Sequence, residues 1–164
     1  MVMRELILLR HAEAMQLAVD GSDRERPLSL RGEQEARAAG AWLREQDIVP
    51  DLVLSSPARR AQMTVERALD ALGGGTPRYL PGIFNATPGD LLALLGDNAA
   101  AARRVLLVGH NPGLEQLLAL LLSGRSGQVR GMPPGSIACV EWPDDGEWSG
   151  LEPGSGRLRA FWSP

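Results

Sequence analysis

The chain of 164 residues contains no lysine, so all 17 of its basic side chains are arginine. Lysine Schiff bases, lysine general bases and the Gly-Lys pair of a Walker loop are thereby excluded. A GC-rich genome explains the skew as readily as function does. Cysteine is nearly absent as well. The single Cys139 forms no internal disulfide, and its place in the apolar run from Ser136 to Trp142 reads as a small buried hydrophobe, not a reactive thiol. Long apolar runs are missing too: the longest, Leu117 to Leu122, falls far short of the ~20 residues that a membrane span requires. Near the start, Arg4, Glu5 and Arg10 surround a short apolar run that matches neither a signal peptide nor an anchor. The expectation is a cytoplasmic protein without a membrane partner. A formal net charge of −3 gives no broad surface for nucleic acid and leaves room only for a local arginine cluster.

What remains is an ordinary mix, 44% hydrophobic and 23% charged. Residues 1–164 read as one domain, which at this length buries roughly 70% of the surface its unfolded form exposes. Apolar runs of strand length alternate with segments of helical period. Strands are expected at Glu5 to Arg10, Asp51 to Ser55, Arg104 to Val108, Ser136 to Trp142 and Arg157 to Trp162, the last two joined through an Asp145-Gly146 turn. Helices are expected over residues 30 to 46, capped by Ser29, over 58 to 72, stopped by Gly73 to Gly75, over Pro88 to Leu95, and over Pro112 to Leu122. Strand, helix, strand, helix in this order is the pattern of βαβ units, and runs such as Val105 to Val108 suit strands buried on both faces. The fold class is therefore α/β, a three-layer α/β/α sandwich around a mostly parallel sheet. Residues 12 to 28 break the rhythm with a polar, aperiodic stretch directly after the first strand, where loops usually shape a site. Trp142, Trp148 and Trp162 near the final strands read as core.

Only two histidines occur, and each lies just past the C-terminal end of an expected strand: Arg10-His11 and Gly109-His110-Asn111. In an open α/β sheet that edge is where ligands bind. A third strand ends there in Ser56-Pro57-Ala58-Arg59-Arg60, and Arg26 is available from the irregular loop. Adjacent helical residues point roughly 100° apart, so Arg59 and Arg60 cannot both face one pocket. Clustered cations repel unless an anion lies among them, so an anionic substrate is implied. Phosphate suits guanidinium forks in geometry as well as charge. A neutral imidazole is a competent nucleophile, and neighbouring arginines push its pKa down toward that form. Taken singly, each stretch is also explained as a polar loop, a capped turn into a helix, or solvated arginines. Their joint occurrence at three strand ends is the informative feature.

Together these stretches resemble the histidine phosphatase superfamily, with its phosphoglycerate-mutase-like fold, and within it the small SixA-type phosphohistidine phosphatases. The family's Arg-His-Gly opening appears as Arg10-His11-Ala12, and its Ser-Pro-x-x-Arg-Ala-x-x-Thr segment as Ser56-Pro57-Ala58-Arg59-Arg60-Ala61-Gln62-Met63-Thr64. That alignment selects Arg60. The second histidine stands in Gly109-His110-Asn111-Pro112, and Arg26-Pro27-Leu28-Ser29 with Gly32 looks like a stretch of the SixA branch whose arginine also reaches the phosphate. The resemblance implies a two-step hydrolysis. His11 would attack phosphorus to form a phosphohistidine intermediate that water opens. Arg10, Arg60 and Arg26 would hold the non-bridging oxygens, His110 would donate to the charged transition state, and Gly109 would permit close backbone approach. It implies no metal and no organic cofactor.

Two positions depart from the family's pattern. Ala12 replaces the usual glycine and so must avoid positive φ. The lid that carries a general acid in larger members has no counterpart, leaving Glu13 and Asp23 as the nearest candidates. A phosphoramidate leaves through an imidazole nitrogen that protonates more readily than an alkoxide, which points to phosphohistidine on a protein as substrate. The alternatives are a small phosphate ester, such as a sugar or nucleotide phosphate, and a non-catalytic phosphate-binding adaptor. A mutase would need a more closed site. A metallohydrolase is disfavoured because two histidines without a carboxylate at ligand spacing fall short of a three-ligand zinc site.

Overall fold

The computed structural model describes residues 3–127 and 130–164. Strands rich in leucine, isoleucine and valine must hide both faces, and alternation of side chains sends successive residues to opposite layers. In β1 (Arg4–Arg10), Leu6 and Leu8 enter one core while Ile7 and Leu9 enter the other. The same division holds in β4 (Arg104–Gly109), where Val105 and Leu107 lie opposite Leu106 and Val108. One face is covered by α1 (Leu30–Glu45) and α2 (Arg59–Leu72), through Ala39, Leu43, Ala61, Val65 and Ala68. The other is covered by α3 (Pro88–Asn98) and α4 (Gly113–Ser123), through Leu91, Leu95, Leu114, Leu117 and Leu121. This is a three-layer α/β/α sandwich.

With β2 (Leu52–Ser55), β3 (Arg78–Tyr79), β5 (Ile137–Trp142) and β6 (Arg157–Trp162), the sheet runs in the order β3-β2-β4-β1-β5-β6. The pairs β1–β4, β4–β2 and β2–β3 are parallel, whereas β5 is antiparallel to both β1 and β6. The sheet is therefore mixed and mostly parallel. Neighbouring β2, β4 and β1 end at one edge, and their ladder continues one residue beyond the strands: His11 N–H donates to the Gly109 carbonyl at 3.0 Å and Ser56 N–H to the Val108 carbonyl at 3.0 Å. Three chain segments far apart in sequence are thus held within one backbone width of each other.

Local signals account for the boundaries. Ser29 Oγ accepts the Gly32 N–H at 3.0 Å and caps α1. Thr87 and Asp90 form a reciprocal capping box at α3, whose Pro88 fits the first turn. This helix runs to Asn98, three residues past the expected Leu95, because Gly96 and Asp97 interrupt its apolar period without breaking its backbone. The two-residue β3 is too short to leave a periodic trace in sequence. Burial pushes the Cys139 thiol up to about 12, aided by nearby Glu5, so the thiol stays protonated and inert. Trp142 and Trp148 are buried and meet edge to face, while Trp162 is half-buried and stacks on Trp42.

The opposite edge of the sheet is ionic. Glu5 pairs with Arg104 at 2.8 Å and with Arg159, Glu141 pairs with Arg157, and Arg4 pairs with Asp144 at 2.6 Å. Glu5, Arg104, Arg159 and Glu141 of these pairs line a hollow of about 450 Å³. No helix among the described residues is long and apolar enough to cross a membrane.

Helices α1 and α2 approach closely at Gly40, where a Cβ would stand 2.0 Å from the Ala68 carbonyl oxygen of α2. Backbone cannot yield as a side chain can. Gly40→Ala is therefore expected to destabilise by about 1–3 kcal/mol, as overpacking does. Gly89→Ala, in the first turn of α3 and with no atom nearer than 3.8 Å to the added carbon, is the control expected to be neutral or slightly stabilising. Urea unfolding should show a lower midpoint for the first variant alone; equal midpoints would mean that α1 and α2 are not packed this tightly.

Candidate active site

The three strand ends and the loop of residues 12 to 28 enclose a cleft of about 380 Å³, lined by Arg10, His11, Glu13, Arg26, Arg60, Asn85, His110 and Asn111 among others. Every residue expected to contact phosphate lines this one cleft. The two imidazole rings lie 5.1 Å apart between centroids. Arg60 is nearly buried and faces inward, while Arg59 is exposed. Ala12 is buried, and the only non-glycine residues with positive φ among those described are Asp47 and Asn85, so alanine fits position 12 without strain. At Gly109, the room a Cβ would need is taken by Ile83 at 3.2 Å and Leu114 at 3.6 Å; its small size serves packing beneath the cleft.

His11 is oriented by its own neighbour. Its Nδ1 lies 2.8 Å from the Ala12 carbonyl oxygen, which only accepts, so Nδ1 carries the ring hydrogen and donates. The lone pair is thereby left on Nε2. Ala12 is fixed in turn, because its N–H donates to Thr64 Oγ1 at 3.0 Å while the Thr64 hydroxyl donates to the Arg60 carbonyl at 2.7 Å. His110 sits with Nε2 2.7 Å from Ser56 Oγ, and its Nδ1 is buried with no partner among the described residues. Phe84 meets the His110 ring edge to face at 5.4 Å and lies 5.8 Å from the Arg60 guanidinium.

Burial chiefly, with repulsion from Arg60, Arg10 and Arg26, pushes the His11 pKa down to about 4 against the opposing pull of the Ala12 carbonyl. His110 is pushed down to about 3, again by burial first, then by His11, Arg60 and Arg10, with Asp23 opposing. Both rings are neutral at neutral pH. Burial also lowers the pKa of Arg10 and Arg60, though not enough to discharge a guanidinium.

Each arginine is held by acceptors at the margin of the cleft. Arg10 donates to the Met132 carbonyl at 2.8 Å. Arg60 donates to the Asp23 carbonyl at 2.8 Å and to its carboxylate at 3.2 Å, and Arg26 donates to the same carboxylate at 2.9 Å and to the Met15 carbonyl at 2.9 Å. Asp23, one of two expected acid candidates, is thus the clamp between two guanidinium groups. Burial works against its charge, but Arg60 and Arg26 prevail and hold its pKa below the ordinary carboxylate value. The other candidate, Glu13, directs its carboxylate to Arg31 at 3.5 Å. Among the described residues, no three histidine, cysteine, aspartate or glutamate side chains gather closely enough to hold a metal ion.

Sequence reasoning assigned no role to Ser56, Thr64, Phe84 or Asn85. Ser56 and Thr64 stand inside the quoted motif, where their spacing from Arg60 was the available signal. Asn85 offered one cue, since asparagine tolerates the φ of 60° that it adopts at the rim.

A family model for the histidine phosphatase superfamily (branch 1) matches residues 6–92. The phosphohistidine phosphatase SixA of Escherichia coli strain K12 is 32% identical over 129 residues, covering 74% of this chain and 76% of that protein. Among solved structures, a Nakamurella multipartitia chain provisionally designated a phosphohistidine phosphatase SixA superposes with a TM-score of 0.85 at 29% identity, over 99% of this chain and 96% of that one. A protein histidine phosphatase SixA complexed with tungstate superposes with a TM-score of 0.79 at 29% identity, over 97% of this chain and 96% of that one.

The depressed imidazoles have a signature in solution. Both folded pKa values lie below the ~6.5 of an unfolded histidine, so the unfolded chain takes up protons first as pH falls. Their contribution to stability is complete above about pH 6.5 and is lost progressively toward pH 4, through His11 at about 4 and His110 at about 3. In an NMR titration of the ring Cε1–H resonances, neither histidine should protonate between about pH 5 and 8. A ring titrating near its ordinary value would contradict this burial.

Proposed function

The chain belongs to the histidine phosphatase superfamily, and we propose that it hydrolyses phosphohistidine on a protein, in the cytoplasm, through a phosphohistidine intermediate on His11. The family and its SixA-like neighbours support phosphatase activity; the choice of substrate rests on the carboxylates. An alkoxide leaving group needs a positioned acid. Asp23 is kept ionised between Arg26 and Arg60 and so is not set to deliver a proton, and the Glu13 carboxylate is turned to Arg31. A phosphorylated imidazole whose remote nitrogen is protonated departs as a neutral ring and needs none. This observation favours a phosphoramidate over an ester.

The proposed steps use that arrangement. The His11 Nε2 lone pair forms the new N–P bond in line as the substrate's P–N bond breaks, and that electron pair returns to the departing imidazole nitrogen. Charge spreads onto the non-bridging oxygens, where Arg10, Arg26, Arg60 and His110 donate. Phosphorylated on Nε2, His11 keeps its Nδ1 hydrogen on the Ala12 carbonyl, which stabilises the cationic ring. Water then attacks phosphorus, the P–Nε2 bond returns its electrons to the ring, and the water proton passes to phosphate or solvent.

Incubation with a labelled phosphohistidine peptide followed by denaturation should trap an acid-labile, alkali-stable adduct on His11. His11→Ala should lose the adduct and nearly all turnover. His110→Ala should slow turnover by about 10²–10³, the usual cost of deleting a charge-stabilising donor. Arg60→Lys should also be damaging, since an ammonium cannot reproduce a two-toothed guanidinium contact. Turnover unchanged in His11→Ala would refute the nucleophile, whereas faster turnover of sugar or nucleotide phosphates than of the peptide would refute the substrate.

A further inference from the structure

Ser56 lies one residue past β2, is fully buried, and its hydroxyl contacts His110. Its hydrogen bonds can be counted. A serine hydroxyl offers one donor and two lone pairs, and the Ala58 N–H at 3.2 Å takes one lone pair. The neutral His110 ring has a single N–H, on either Nε2 or Nδ1. If Nε2 carries it, the ring donates to Ser56, whose own buried hydrogen then has no acceptor among the described residues, and the buried Nδ1 keeps a bare lone pair in a ring that lines the cleft. If Ser56 donates to Nε2, its hydrogen is used and one lone pair stays free, and among the described residues the donor left over is an Nδ1–H. Each arrangement leaves one buried donor unpaired, at a cost of about 1–3 kcal/mol, and the second alone places that donor on a side chain that lines the cleft, where a ligand oxygen can accept it. The acceptor that Nδ1–H lacks is then an oxygen of the ligand.

We propose that Ser56 is a positioning residue for the phosphoryl transfer assigned to this cleft: by donating to His110 Nε2, it fixes the Nδ1–H tautomer and so makes Nδ1 the atom that donates to the phosphoryl group. The inference rests on that reading of the cleft, but the tautomer itself is a property of the ligand-free protein. Opposite tautomers are thereby imposed by opposite means. His11 is tied at Nδ1 by a carbonyl that only accepts, which exposes a lone pair; His110 is tied at Nε2 by a hydroxyl that donates, which exposes a hydrogen. One ring is set to attack phosphorus and the other to neutralise its oxygens. A carbonyl in place of Ser56 would reverse the second assignment and turn a donor into a repulsive lone pair.

With only two histidines, the test is direct. Two-bond ¹⁵N–¹H correlation spectra of the ¹⁵N-labelled protein near pH 7, assigned with His11→Gln, should show His110 as the Nδ1–H tautomer, and orthovanadate should shift that Nδ1 resonance. Ser56→Ala should give an averaged or Nε2–H ring and lower kcat toward a phosphohistidine peptide on the order of 10- to 100-fold, as for other supporting hydrogen bonds, with KM changed less than about twofold. An Nε2–H tautomer in the unaltered protein, an Nδ1 resonance indifferent to vanadate, or a Ser56→Ala loss confined to KM would each overturn the proposal. Because the spectrum is recorded without substrate, the tautomer it reveals is independent of whether an adduct is trapped on His11.

Discussion

Repulsion among buried positive groups is the constraint that shapes this molecule's working end. Arg10, Arg26 and Arg60 border one cleft with two imidazoles, and desolvation alone would make such a gathering unfavourable. The protein answers in two ways. It keeps both rings neutral by burying them among the arginines, and it spreads backbone carbonyls and a single carboxylate around the rim: Met132 for Arg10, Met15 for Arg26, Asp23 for Arg26 and Arg60 together. All these acceptors lie at the margin. Three guanidinium groups against the single Glu13 carboxylate leave the lining rich in positive donors, and a tetrahedral oxyanion complements that pattern better than a cation or an apolar ligand does.

Such an array is useful only if it holds still. The parallel ladder supplies the stiffness, since the backbones of His11 and Ser56 are bonded to β4 as if the sheet continued past its named strands. The loop that carries Arg26 is fastened from below. The Glu13 carbonyl accepts from both Ser29 N–H and Ser29 Oγ–H, and Gly32 lies so close that a Cβ there would stand 1.9 Å from that same oxygen. A cap residue and a glycine, readable in sequence as helix punctuation, thus also fix the height of the loop above His11. Preorganised donors of this kind need no rearrangement when charge develops, which is where electrostatic catalysis gains most.

The strand ends were legible because burial on both faces forces continuous apolar runs, and polar residues directly after them stand out. Arg10-His11 and Gly109-His110 are visible for that reason. The choice of Arg60 over Arg59 needed the motif, since periodicity excludes only their joint use. What stayed hidden depends on contacts across the sequence. Nothing local says that Asp23 bridges a loop arginine to a helix arginine, so it read as a possible acid; in the fold, its two partners hold it ionised. Phe84 and Asn85 come to the rim on a segment whose neighbouring strand has two residues, too few to register as a pattern. The antiparallel pairing of β5 and β6 likewise follows from a connection whose glycines and prolines fix its turns but not its partner.

The contrast between the two histidines shows why residue type alone underdetermines chemistry. Each ring is buried, each is depressed in pKa, and each follows a strand of the same sheet, so composition, burial and position assign them the same properties. Their difference lies wholly in what stands behind them: a carbonyl oxygen at 2.8 Å for His11, a hydroxyl oxygen at 2.7 Å for His110. An acceptor-only partner dictates where the hydrogen sits, whereas a hydroxyl that already accepts the Ala58 N–H at the entry to α2 still has both a hydrogen and a lone pair to offer the ring. With the tautomers proposed above, two identical imidazoles in one cleft become a nucleophilic end and an electrophilic end, and what separates them is one carbonyl and one hydroxyl.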